Sequence, residues 1–132
     1  KLVQEVELYP TNESLWVVKE GISNPGGNLV LHLCGNLNHF VGAQLGNTGY
    51  VRQRDREFSD TGLTKEDLIG KVKFTANMVV ETLDSLKEKD LEKTFPIEVF
   101  GKPITTGFFL THLTAHLNYH LGQINYHRRL LS

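Results

Sequence analysis

Leucine recurs at helical spacing through the last quarter of the sequence, and no proline interrupts it. Leu110, Leu113, Leu117, Leu121 and Ile124 fall on one face of a wheel drawn at about 100° per residue. Thr105 or Thr106 can cap this helix, which is expected to run to about Leu130. His127, Arg128 and Arg129 occupy its last turn, where positive charge suits the helix dipole. A second helix is expected from Asn28, a good N-cap residue, to Leu45, with Gly46-Asn47-Thr48-Gly49 as its stop. Leu29, Leu33, Leu37 and Phe40 would be its buried face. A third opens at Thr64-Lys65-Glu66-Asp67, a capping box with Asp in the usual Glu position. It carries Leu68, Val72, Met78, Val79, Leu83 and Leu86 to about Leu91. Residues Lys1–Leu8 read as the end of a further helix, cut short by Pro10.

The intervals are less regular. Ser23-Asn24-Pro25-Gly26-Gly27 is a turn cluster. Tyr50–Leu63 is polar and charged and reads as a loop. In Thr94–Ile104, Pro96, Gly101 and Pro103 break the apolar residues, which predicts a short hairpin or an extended connector before the last helix. Three full helices and a shortened first one make an all-α chain, a four-helix bundle formed by residues 1–132 as one domain. A chain of 132 residues, 39% hydrophobic and 22% charged, is long enough to bury a core of that kind.

Charge and cysteine content narrow the function. The formal net charge of −1 argues against a polybasic grip on nucleic acid or anionic membrane. No apolar run approaches the roughly 18 residues needed to span a bilayer. The single cysteine, Cys34, excludes an internal disulfide and suits a reducing cytoplasm, the expected location. Cys34 lies about 200° around the wheel from His32, so it is expected to be a buried, inert thiol.

The six histidines fall in two segments. His32 and His39 lie in the second helix, and His112, His116, His120 and His127 form a stripe on the last, about a quarter-turn from its leucines. At i,i+4, His116 and His120 can converge on one ion. The glutamate of the zincin helix motif is absent from His116-Leu117-Asn118-Tyr119-His120. His32 and His39 are seven residues apart, roughly 10 Å along a helix, so only one of them can be the third ligand. Three neutral nitrogens leave a position open for water or substrate, the catalytic rather than the structural pattern. Zinc is the default ion, and imidazoles suit nickel, iron and copper as well. Histidines that merely line a cleft are the alternative.

Leu31-His32-Leu33-Cys34-Gly35-Asn36-Leu37 resembles the second-helix motif of the DinB/YfiT-like superfamily, in its DUF1572-type branch. Ser23–Leu29, Tyr50–Phe58 and above all His112–Ile124, with its H-x-x-x-H-x-G-Q core, extend the likeness over nearly the whole chain. The resemblance implies an up-down-down-up four-helix bundle, often dimeric. It also implies a divalent ion held by His32, His116 and His120. Members with known activity include transferases and isomerases that use a low-molecular-weight thiol, which the metal is thought to activate as thiolate. Hydrolysis by metal-bound hydroxide is a second possibility.

Other residues have plainer alternatives. Gln123 and Asn36 could support the site or serve helix packing, and His112 could lie beside the ligands or form a cleft wall. Arg52, Arg54 and Arg56 could bind an anionic group or pair with Asp55 and Glu57 in a solvated loop. Gly35 and Gly122 are expected to allow close helix approach, and Trp16 and Tyr50 to pack in the core or an interface. The expectation is a metal-dependent enzyme acting on a small molecule, with a thiol as a possible cofactor and a homodimer as the expected assembly. The alternative is a non-catalytic metal-binding or interaction module.

Overall fold

A computed structural model describes residues 1–132, and it is all-helical. The helices are α1 (Leu2–Glu7), α2 (Gly26–Leu37), α3 (Arg54–Ser59), α4 (Lys65–Ser85), α5 (Glu88–Leu91) and α6 (Thr106–Leu130). A 3₁₀ turn at Glu13–Trp16 follows α1, and a wide π segment at Asn38–Ala43 continues α2. Helix α2 packs against both α4 and α6, and the short α1 lies against the same two. No helix is long and apolar enough to cross a membrane.

The expected helices form, with changes at their ends. The capping box is present: Thr64 Oγ1 accepts from Asp67 N–H at 3.1 Å, and Asp67 Oδ2 from Thr64 N–H at 3.0 Å. That helix ends at Ser85 rather than Leu91, and the break at Leu86–Lys87 starts the separate one-turn α5. Helix α2 starts two residues before Asn28, behind Pro25 in extended conformation. Gly26 and Gly27 are needed there, because a Cβ on either would collide with Tyr9 or Trp16. Thr94–Thr105 closes on itself through a single antiparallel bridge, Phe95 N–H to Ile104 O at 2.8 Å and Thr106 N–H to Lys93 O at 2.8 Å.

The core forms two clusters. One joins Val6, Tyr9, Leu15, Leu29, Val30, Leu33, Leu68, Val72 and Ile124. The other joins Val41, Met78, Phe95, Phe109 and Leu113. In α6 Phe109 is fully buried, whereas Leu110 and Leu121 are only half-buried. Polar groups fasten α1. Glu5 accepts from Arg128 at 2.7 Å and Asn125 at 2.9 Å, and Lys65 Nζ donates to the Glu7 and Tyr9 carbonyls. Burial opposes the charge on Glu5, yet Arg128 and Asn125 hold its carboxyl below the usual range. His127 is structural: Gly26 N–H and the Tyr9 hydroxyl meet its Nδ1, and its Nε2 lies 2.8 Å from Val17 O.

The largest departure from expectation is Tyr50–Leu63. It is not all loop, since Arg54–Ser59 forms α3 against α2. Asn28 explains how. Instead of capping α2, its buried amide donates to Glu57 O at 3.0 Å and Asp60 O at 2.8 Å. Asn28→Ala orphans both carbonyls, and the expected cost is about 2 kcal/mol, roughly 6–8 °C in Tm by thermal denaturation.

Candidate metal centre

His32 from α2 and His116 and His120 from α6 meet at one point. His116 Nε2 lies 3.1 Å from His32 Nε2 and 3.1 Å from His120 Nε2. One ligand atom from each of the three lies within 4.8 Å of the others. For bonds of about 2.0–2.1 Å in a tetrahedral arrangement, neighbouring nitrogens stand roughly 3.3–3.4 Å apart, so small ring shifts suffice.

The ring nitrogens on the far side fix which lone pairs face inward. His32 Nδ1 lies 3.0 Å from Glu57 Oε1, a carboxylate oxygen that also accepts from Arg52, so Nδ1–H donates and Nε2 is bare. His120 Nδ1 lies 2.7 Å from Gln123 Oε1, with the same result. His116 Nε2 therefore faces two lone pairs and can donate to only one. Its own Nδ1 is buried without a partner. Either tautomer of His116 leaves a polar nitrogen unsatisfied, at a cost protein interiors normally avoid. A cation that accepts the three inward lone pairs relieves the clash at Nε2 and leaves the His116 proton on Nδ1, and the donor set fits one.

Protonation is biased the same way. Burial, with His120, His32, His112 and Arg52 nearby, pulls His116 down to about 4. Burial also lowers His32, against the opposing pull of the Glu57 carboxylate. Both imidazoles are then neutral at pH 7, the form that binds metal.

Glu57 is itself held. Arg52 grips it with two bonds, Nε to Oε2 and Nη2 to Oε1, both 2.8 Å. Its carboxylate fills the space where a Cβ on Gly35 would stand, so Gly35 serves the approach of α3 to α2. Phe58, one residue on, packs its ring 4.9 Å from that of His32.

The remaining candidates lie outside the cluster. His39, in the π segment, packs edge-on to Phe40 at 4.7 Å. His112 is exposed and lies between Phe100 and Phe109 at 4.9 and 5.7 Å, with its ring 6.4 Å from His116. Asn36 is buried one turn beyond His32, its Oδ1 without a partner. Arg54 is exposed, with its guanidinium over Phe58; Arg52 takes the place beside the ligands. Gly122 meets nothing within 4 Å, so it is not a close helix contact. Cys34 is buried, which raises its thiol pKa, and it is not in the ligand group. Sequence reading missed the role of Glu57, which lies in a polar run with no helical periodicity. The one available signal was Gly35, three residues after His32, marking a face that something approaches closely.

Known proteins agree with this fold. The profile of DUF1572, described as a protein of unknown function, matches residues 4–132. The chain belongs to the DUF1572 family. A search of curated proteins finds no match. A DinB-like protein from Bacillus cereus ATCC 10987 has a similar crystal structure, with a TM-score of 0.76 at 21% identity over 98% of this chain and 82% of that one. The DUF1572 chain thus has a DinB-like helical fold, with a three-histidine cluster able to hold a metal.

Two predictions follow from this geometry. Glu57→Ala frees His32 Nδ1 and should weaken zinc binding about 10–100-fold in chelator competition. The folded pKa values of His32 and His116 lie below the unfolded value of 6.5. The metal-free unfolded chain therefore binds more protons at acid pH, and Tm should fall as pH drops from 6.5 towards 4. His116→Gln should flatten that fall; an unchanged slope would show that His116 does not contribute.

Proposed function

We propose that this DUF1572 protein is a divalent-metal-dependent enzyme, with zinc or nickel on His32, His116 and His120. Thiol-dependent S-transfer to a small-molecule substrate is the favoured reaction, and hydrolysis the second. The observation that carries the reading is the inward convergence of three imidazole Nε2 atoms, between which a single proton on His116 can serve only one contact. A divalent cation at such a site lowers the pKa of a bound thiol or water.

The chain's own residues have separate tasks. Glu57 and Gln123 fix the outer nitrogens of His32 and His120 and so aim the inner ones. Arg52 holds the Glu57 carboxylate in place. Phe58 packs against His32 and screens one side of it from water. Three protein ligands, rather than four, leave room for an incoming group.

Elemental mass spectrometry on tag-free protein tests the metal. About one ion per chain is expected in the wild type and in His39→Ala, and none in His32→Ala or in the His116→Ala–His120→Ala double variant. In cobalt-loaded protein, added small thiol should change the visible spectrum if the position is open. An unchanged spectrum, with melting on metal removal, would instead support the non-catalytic metal-binding module. No ion after reconstitution with zinc and nickel would end the metalloenzyme reading.

A further inference from the structure

Two buried side-chain polar atoms in the chain lack a hydrogen-bond partner, His116 Nδ1 and Asn36 Oδ1. They are chemically complementary. The nitrogen carries the ring proton whenever Nε2 is given to a cation, and the amide oxygen can only accept. Asn36 is 6% exposed, and an amide oxygen left unbonded at that depth is uncommon in proteins.

The helices bring the two side chains to one level. Helices α2 and α6 run antiparallel: Gly26 meets His127, His32 meets His116, and Val41 shares a cluster with Phe109 and Leu113. Asn36 follows His32 by one turn, roughly 6 Å along α2 and about 40° around it. It therefore stays on the side of α2 that faces α6, level with the turn of α6 before His116. Helical side chains lean towards the N-terminus of their own helix. Asn36 leans back towards His32, and His116 leans along α6 towards the level of Asn36, so the two converge. The other polar side chains around them are already committed. Glu57 serves His32 and Arg52, Gln123 serves His120, and the Asn38 amide donates to Cys34 O and Thr75 Oγ1.

Resting on the metal reading above, we propose that Asn36 is the positioning residue of His116, accepting the Nδ1 proton at Oδ1 when Nε2 holds a cation. The pair is not hydrogen-bonded in the arrangement described above. Asparagine χ2 is a broad torsion, so a turn of the amide, with the small ring shifts that a cation requires, closes the contact. Each ligand then has an acceptor behind it, supplied by three separate elements: Glu57 of α3 for His32, Gln123 of α6 for His120 and Asn36 of α2 for His116. An amide oxygen fixes the ring without adding negative charge beside the ion.

Zinc affinity by chelator competition, read beside the Tm of chelator-treated protein, tests the assignment. Asn36→Leu should weaken zinc binding about 10–100-fold. It should leave the Tm of the chelated chain undiminished, because Oδ1 has no hydrogen bond there to lose. Asn36→Asp, which keeps an acceptor, should restore the affinity. Long-range proton–nitrogen NMR of the zinc-loaded wild type should show a slowly exchanging Nδ1–H on His116, lost in Asn36→Leu. Wild-type zinc affinity in Asn36→Leu would overturn the assignment. So would a fall in both affinity and chelated Tm that Asn36→Asp does not rescue, which would make Asn36 a packing residue. A wild type that binds no zinc would instead remove the metal reading itself, and this assignment with it.

Discussion

Three imidazole nitrogens that cannot all satisfy one another are the constraint on which the rest of the site depends. His32 and His120 have their outer nitrogens committed to Glu57 and Gln123, so their inner lone pairs are directed at His116. The cost falls on His116, which is partly buried, has an orphaned Nδ1, and has its pKa driven down to about 4. Protein interiors rarely keep such a frustrated contact without a use for it. The surrounding fold makes it persist. Two rigid helices supply the ligands, and a bidentate Arg52–Glu57 pair fixes the orientation of His32.

Helical periodicity made most of the frame legible. Leu29, Leu33, Leu68, Val72, Leu113 and Ile124 all reach the core, and the i,i+4 pair His116 and His120 comes together as spacing on a rigid helix dictates. The choice between His32 and His39 was not legible from spacing, because both lie on one side of the helix. The third dimension separates them. The π segment beginning at Asn38 carries His39 against Phe40, while His32 faces α6.

What periodicity could not reach is held by tertiary hydrogen bonds. Helix α3 has only six residues, too few to be stable alone, and its charged sequence offers no apolar stripe. It forms because Asn28 ties down the carbonyls of Glu57 and of Asp60, just past its end, and because Gly35 leaves room for Glu57. A residue that reads as an N-cap is therefore used as a clamp. Likewise Arg52 rather than Arg54 serves the site. Alternation along the segment makes the three arginines look equivalent, and only the position of Glu57 distinguishes them.

The charge balance of the site bears on what it would bind. Glu57 is the carboxylate next to the ligands, and Arg52 already neutralises it through two short bonds. The three imidazoles carry no negative charge. A divalent cation held by these three imidazoles would keep nearly its full positive charge, unlike one bound by thiolates or carboxylates. Such a centre, with the Phe58 ring packed against His32, would attract an anionic fourth partner more strongly than a neutral one. On the proposed reading an incoming thiol or water would meet that need by giving up its proton, so the neutral ligand set and the Arg52–Glu57 pair would both favour nucleophile formation.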